Sequence, residues 1–290
     1  MTTVSETAPA KINLYLHVGP VRVDGFHELA SLFVFTDYGD EVIVEEDDAL
    51  SLEIVGPFAQ LLAGASLTEN LVYRAAQALQ DYAGVNTGAR MRLVKNLPVA
   101  AGVGGGSADA AAALRALEKL WALTIPAEDM RALAFKLGAD VPACLERKPV
   151  LVDGAGEILS PGPDLPTTTV LLVNPRIDMP TGPVFKRFDA DNASQRHPAH
   201  PDGVDGSVSD LAGLMTASRN DLEPAAMALA PKISDLVTSM QSDPGAIAAR
   251  MSGSGATCFA FFDDAGLARD AAQKYEKMNY WTMVSPVASV

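Results

Sequence analysis

A run of glycines, Gly102-Val103-Gly104-Gly105-Gly106, leads through Ser107 into an alanine-rich segment where Ala110, Ala113, Leu114, Leu117 and Trp121 recur at helical spacing. Glycines accept positive φ and can turn successive backbone N–H groups toward one point. A helix starting beside them adds its own unpaired N–H groups and the positive end of its macrodipole. Loop and helix together make a cradle for a phosphate chain, with Ser107 expected as the N-cap. Two further residues, Lys11 and Asp140, offer a cation and a carboxylate on segments that read as rigid. Phosphoryl transfer asks for these parts: the polyphosphate held, its charge offset, and a hydroxyl aligned with the phosphorus.

The glycine run by itself also reads as a tight strand-to-helix turn with no ligand. Two commoner phosphate motifs are excluded. No Gly-Lys dipeptide occurs, so there is no Walker A loop, and Ser107 stands where the dinucleotide fingerprint needs its third glycine. His197 and His200, in His-Pro-Ala-His-Pro, could be written as metal ligands, but a histidine pair in a polar loop reads as solvated, and no metal ligand is assigned. Cys144 and Cys258 are too few and too far apart for a disulfide framework or a Cys-x-x-Cys metal site, which fits a reducing compartment.

The elements that must position these residues follow from periodicity. Residues 10–18 alternate, with Ile12, Leu14, Leu16 and Val18 on one face and Lys11, Asn13, Tyr15 and His17 on the other. This predicts a strand that sets Lys11 and Asn13 side by side, at a site or on the solvated face of an edge strand. Asp24-Gly25 marks a turn that ends in Phe26 and His27. Strands are predicted over 32–36, 41–46 and 50–55, separated by Gly39-Asp40 and Asp47-Asp48. A helix over 70–82, with Thr68 or Asn70 near its start, and a strand over 90–94 then deliver the chain into the glycine loop. Pro126 and Gly138 bracket a helix over 127–137, and Asp140 is pinned between that helix end and Pro142. Farther on, strands are predicted over 151–153, 157–159, 170–174, 257–262 and 281–284, and helices over 221–229, 231–242 and 267–277. A linker is predicted over 161–166 and a long surface loop over 186–209.

A chain of 290 residues, 48% of them hydrophobic, can bury a large core. We read two domains, 1–160 and 161–290, with a cleft between them. The formal charge of -14 argues against nucleic-acid or anionic-membrane partners, both of which need a basic face. The first ten residues hold no apolar signal region and no later run would span a bilayer, so a soluble, cytoplasmic protein is expected, monomeric or weakly dimeric.

Six segments come in a telling order: Pro9 to Asn13 (PAKIN), Pro98 to Ala111 (PVAAGVGGGSADAA), Leu137 to Pro142 (LGADVP), Pro180 to Lys186 (PTGPVFK), Asn220 to Glu223 (NDLE) and Ser252 to Thr257 (SGSGAT). In this the chain resembles the GHMP kinases, the galactose, homoserine, mevalonate and phosphomevalonate kinase superfamily, from about residue 7 to 286. The resemblance implies a two-domain α+β fold, the N-terminal domain ribosomal-protein-S5-like and the C-terminal one ferredoxin-like. It implies a kinase using ATP and Mg2+, with the metal bridging the phosphates. Asp24-Gly25-Phe26-His27 followed by Asp37-Tyr38-Gly39-Asp40 is similar to one branch of the superfamily, whose small-molecule acceptor carries a cytidine diphosphate moiety.

By the same resemblance, Lys11 and Asp140 are the catalytic pair. Asn70, Lys95, Pro98, Val99, Ala100, Ala101, Gly102, Val103, Gly104, Gly105, Gly106, Ser107 and Ala108 would bind ATP. Asn13, Phe26, His27, Thr181 and Phe185 would bind the acceptor, with Phe26 and Phe185 on opposite sides of the cleft. Ala100 and Ala101 stand where relatives often carry glycine, Ala108 where a second serine is common, and Phe26 where tyrosine is frequent. Two other readings stay open: a GHMP kinase without a cytosine pocket, and a non-catalytic relative that senses a nucleotide.

Overall fold

The computed structural model describes residues 2–64, 66–191, 197–204 and 209–287. In chain order the elements are β1 (Thr3–Val21), β2 (His27–Asp47), β3 (Ser51–Val55), α1 (Leu71–Ala83), β4 (Gly88–Val94), α2 (Gly105–Leu120), α3 (Ala127–Leu137), α4 (Val141–Glu146), β5 (Val150–Gly154), β6 (Ile158–Pro161) and β7 (Thr169–Asn174). Then follow α5 (Thr181–Ala190), α6 (Leu211–Ala217), α7 (Glu223–Leu229), α8 (Lys232–Gln241), β8 (Ala246–Met251), β9 (Cys258–Phe262), α9 (Ala265–Glu276) and β10 (Trp281–Pro286). None of the described helices is long and apolar enough to cross a membrane.

The chain divides into two compact units that exchange it several times. The first holds Met1–Ala10, Tyr38–Val99 and Gly104–Arg147; the second holds Lys11–Asp37, Ala100–Val103 and Lys148–Val290. In the first, the C-terminal part of β2 pairs antiparallel with β4, from Glu41 opposite Val94 to Asp47 opposite Gly88, and β3 runs parallel to β4 on its other side. Helix α1 packs on α2, which also meets α3 and α4. Every residue from Ala108 to Leu114 is buried, so α2 is enclosed on all sides and not along one face. Alanine suits that position, since small side chains let neighbouring backbones approach.

The second unit contains a β-α-β-β-α-β arrangement in which β7, β8, β9 and β10 form one antiparallel sheet in the spatial order β10-β7-β9-β8. This is the ferredoxin-like topology. Leu171, Val173, Ile233, Leu236, Phe262 and Tyr275 are among its core side chains. The N-terminal part of β2 pairs with β5, which pairs with β6.

Several expectations are corrected. Gly39-Asp40 does not break β2, because Gly39 lies so close to the first strand that a Cβ there would come within 2.0 Å of the Ala8 carbonyl oxygen. Ser107 is not the N-cap of α2; Gly104 takes that place with φ 63°, and Ser107 sits inside the first turn. Residues 186–190 of the expected loop belong to α5, and 192–196 and 205–208 lie outside the described residues. The polar face of β1 is not solvated: Lys11, Asn13, Tyr15 and His17 are all buried. Helices α4, α5 and α6 and strand β8 were not expected.

Candidate active site

In the first unit the glycine loop ends at the start of α2, whose first N–H groups could receive an anion. Gly104 is left-handed and its carbonyl accepts the Ala108 N–H at 2.9 Å, the first bond inside α2. The N–H groups of Gly105, Gly106 and Ser107 precede that bond and have no acceptor within the helix. Upstream, Ala100 and Gly102 also have positive φ, 52° and 75°, so the loop alternates through the left-handed region before the helix begins.

Lys95 lies under this helix start, only 2% exposed. Its ammonium bonds the Asp40 carboxylate and, at 2.6 Å, Oδ2 of Asp109 in the second turn of α2. A Cβ on Gly105 would come within 3.0 Å of Lys95 Nζ, so the cation sits beneath the first residue of the helix. Burial pulls the Lys95 ammonium down and the two carboxylates outweigh it, leaving its pKa raised. Burial also pushes the Asp109 carboxyl up to about 8, with Lys95 opposing the shift and Asp40 adding to it. Asn70 caps α1, its Oδ1 accepting the Val72 N–H at 2.9 Å.

Asp140 is the residue just before α4, half-buried, with φ -82° and no capping bond from its side chain. Gly138 ends α3 in extended backbone, φ 170°, and its carbonyl accepts the Val141 N–H at 3.1 Å. The carboxylate is thus held between two helix ends, as the sequence anticipates.

The second unit builds its own polar cluster on β1. Lys11 is 5% exposed, donates to Asn13 Oδ1 at 2.9 Å and lies 4.0 Å from the Phe33 ring centre. Asn13 donates in turn to Ser31 Oγ at 3.0 Å, and its backbone N–H donates to Ser252 Oγ at 3.1 Å. The first half of the glycine loop rests here. Val103 accepts the Lys11 N–H at 2.9 Å, Ala101 accepts the Thr257 N–H at 3.2 Å and Gly102 accepts the Ser252 hydroxyl at 2.8 Å. The Ser252-Gly253-Ser254-Gly255 segment is therefore a second glycine-rich wall that holds the loop.

The expected aromatic pair is rearranged. Phe26 is 64% exposed at the β1–β2 turn, and the ring against Phe185 is that of His27, with centroids 5.0 Å apart. Both Phe26 and Phe185 belong to the second unit. His27 is buried; its Nδ1–H donates to the Gly19 carbonyl at 2.9 Å, its Nε2 lies 3.3 Å from Asp189 Oδ1, and Phe188 meets its edge. Thr181 opens α5 with its hydroxyl 3.1 Å from that of Ser254.

Of the two histidines expected to be solvated, His197 is exposed and only His200 is partly buried. His200 takes the Tyr15 hydroxyl at Nδ1, 2.7 Å, and faces Asp153 with Nε2 at 3.1 Å; His197 pairs with Glu28 at 2.8 Å. Among the described residues no group of three His, Cys, Asp or Glu could hold a metal ion. Sequence reasoning missed the Lys95–Asp40–Asp109 cluster, although an aspartate in the midst of alanines on a buried helix was a visible signal.

The GHMP kinase N-terminal domain family matches residues 70–148 and the GHMP kinase C-terminal family residues 200–280. A 4-diphosphocytidyl-2-C-methyl-D-erythritol kinase of Cereibacter sphaeroides is 48% identical over 98% of this chain and 98% of its own. Another of that name, from Paramagnetospirillum magneticum, is 45% identical over 94% of this chain and 93% of its own. A crystal structure of 4-(cytidine 5'-diphospho)-2C-methyl-D-erythritol kinase superposes with a TM-score of 0.79 at 31% identity, covering 99% of this chain and 100% of the other.

Proposed function

The chain belongs to the GHMP kinase family, and from that premise we propose how its residues share the phosphorylation of 4-diphosphocytidyl-2-C-methyl-D-erythritol. It is a kinase that moves the γ-phosphate of ATP to the 2-hydroxyl of that acceptor, a step of the non-mevalonate route to isoprenoid precursors. In this reading the phosphates lie against the loop from Pro98 to Ala108, where the free N–H groups at the start of α2 receive their charge. Lys95 supports the loop from beneath, and Asn70 borders it. Lys11 offsets the charge of the transferring group. Asp140 orients the acceptor hydroxyl or takes its proton, and Asn13 and Thr181 bind the acceptor. Among the described residues no cluster of three His, Cys, Asp or Glu would hold Mg2+, which, bound together with the nucleotide, would supply neutralisation of the phosphate charge.

The observation that best supports a cytidine-bearing acceptor is the contact of the buried His27 ring with the tilted, partly buried ring of Phe185, beside the exposed ring of Phe26. A pyrimidine needs an aromatic face and edge-on hydrogen bonding, and an acceptor without a base needs neither. We place the family's domain boundary near residue 160, between the two family matches, and the enzyme in the cytoplasm as a monomer or weak dimer. Calorimetry of CDP binding with a non-hydrolysable ATP analogue saturating the other site tests the acceptor. Binding weakened by Phe185→Ala is expected; no binding of CDP at millimolar concentration would remove the acceptor assignment.

A further inference from the structure

The ion cluster beneath α2 holds one cation and two carboxylates, and the carboxylates are treated unequally. Asp40 is fully satisfied: one oxygen takes Lys95, the other the backbone N–H groups of Asn96 at 2.5 Å and Leu97 at 2.7 Å. Asp109 has Lys95 on Oδ2, while its Oδ1 is buried with no hydrogen-bond partner. A buried carboxylate oxygen without a donor is costly as an anion and acceptable as a protonated acid. One lysine also neutralises one carboxylate. The charged groups that act most on Asp109 are Lys95, just after β4, and Asp40 on β2.

Position gives this proton a consequence. Asp109 lies in the second turn of the helix whose first turn offers N–H groups to phosphate, and Lys95 sits under Gly105. A neutral Asp109 leaves the positive end of the helix intact, and an ionised one sets an uncompensated negative charge behind it. We propose that Asp109 is a proton-linked positioning residue for nucleotide binding: protonated, it lets the start of α2 receive the phosphates, and losing its proton weakens their binding. The inference rests on the assignment of this loop to ATP. The balance is simple. When nucleotide binds the ionised form, Asp109 takes one proton from solvent and none leaves the ligand. The carboxyl's displacement to about 8 puts the change within an accessible range.

The test is calorimetry of a non-hydrolysable ATP analogue at saturating Mg2+, on wild type and Asp109→Asn, from about pH 7 to about pH 9.5, in buffers of differing ionisation enthalpy. Wild type is expected to lose about tenfold in affinity across that range and to take up part of a proton near the middle of it. Asp109→Asn is expected to bind with an affinity that does not change with pH and with no uptake. Wild-type affinity that is flat with pH, or a slope unchanged in Asp109→Asn, overturns the proposal. Proton uptake in wild type alone carries the test if the variant does not fold. Absence of nucleotide binding at every pH is a different failure, that of the ATP assignment itself.

Discussion

Replacing Gly102 by alanine tests whether the glycine loop is held as described. Gly102 has φ 75°, and a Cβ there would lie 2.4 Å from the Ser252 carbonyl oxygen and 2.8 Å from that of Gly255. A left-handed alanine costs about 1–2 kcal/mol. The carbonyls it meets are backbone atoms, and the Ser252 one accepts the Gly255 N–H at 2.9 Å, so relief requires moving a hydrogen-bonded turn. Overpacking of that kind costs about 1–3 kcal/mol. Restricting the unfolded chain returns about 0.4–1 kcal/mol. The net loss is about 1–4 kcal/mol, or about 2–7 °C in melting temperature for a chain of this size. Thermal and urea unfolding of Gly102→Ala and Ala100→Gly measure it, because Ala100 already has φ 52° and its change to glycine relieves strain. Ala100→Gly is expected to stay within about 1 kcal/mol of wild type. A Gly102→Ala variant within about 0.5 kcal/mol of wild type would refute the claim that residues 252–257 hold the loop.

Asp140→Asn is expected to lower kcat by about 10²–10⁴-fold with little change in ATP affinity, as for a positioned general base, and activity within about threefold of wild type contradicts its role. Lys11→Met should lower kcat similarly, and a change in ATP KM alone would make Lys11 a binding cation. Phe185→Ala should raise the acceptor KM by about ten- to a hundredfold, the loss of one stacking face, with ATP KM little moved; lost stability without that selectivity contradicts it. Burial pushes the Glu6 carboxyl up, but Lys119 and Arg115 outweigh it and hold its pKa below the usual value. Its contribution to stability is therefore complete above the usual carboxylate range and is lost as pH falls through the lowered folded value. Glu6→Gln should destabilise at neutral pH, with the gap to wild type closing below about pH 4 in acid unfolding, and a gap unchanged to about pH 2 contradicts the ion cluster.

The parts most legible in the sequence were those with local signals. Helix α3 falls on the residues bracketed by Pro126 and Gly138, and α1 starts at the cap Asn70. Elements set by distant contacts were not. Strand β8, Ala-Ile-Ala-Ala-Arg-Met, has little strand propensity and exists through its pairing with β9. Helix α5 was hidden by Pro183, Gly182 and its charges; Val184, Phe185 and Phe188 are the only cue to its buried side. For α6 the cue was present and overlooked: Asp210 caps it, and Leu211, Leu214 and Met215 are spaced for one face. In the site, types and order pointed to Lys11, Asp140 and the loop. The use of Lys95 beneath the helix could not be read, because it depends on Asp40 and Asp109 arriving from other elements.

Turnover on defined acceptors tests the central claim most directly. Purified enzyme is supplied with Mg-ATP and, separately, 4-diphosphocytidyl-2-C-methyl-D-erythritol, homoserine and mevalonate, with ADP release coupled to an optical readout and products identified by mass and phosphorus NMR. The account expects acceptor-dependent ADP release with the cytidine-bearing compound alone, and one new phosphate monoester on its 2-hydroxyl. Equal or faster phosphorylation of homoserine or mevalonate, or no acceptor-dependent turnover with the cytidine-bearing compound, would contradict it.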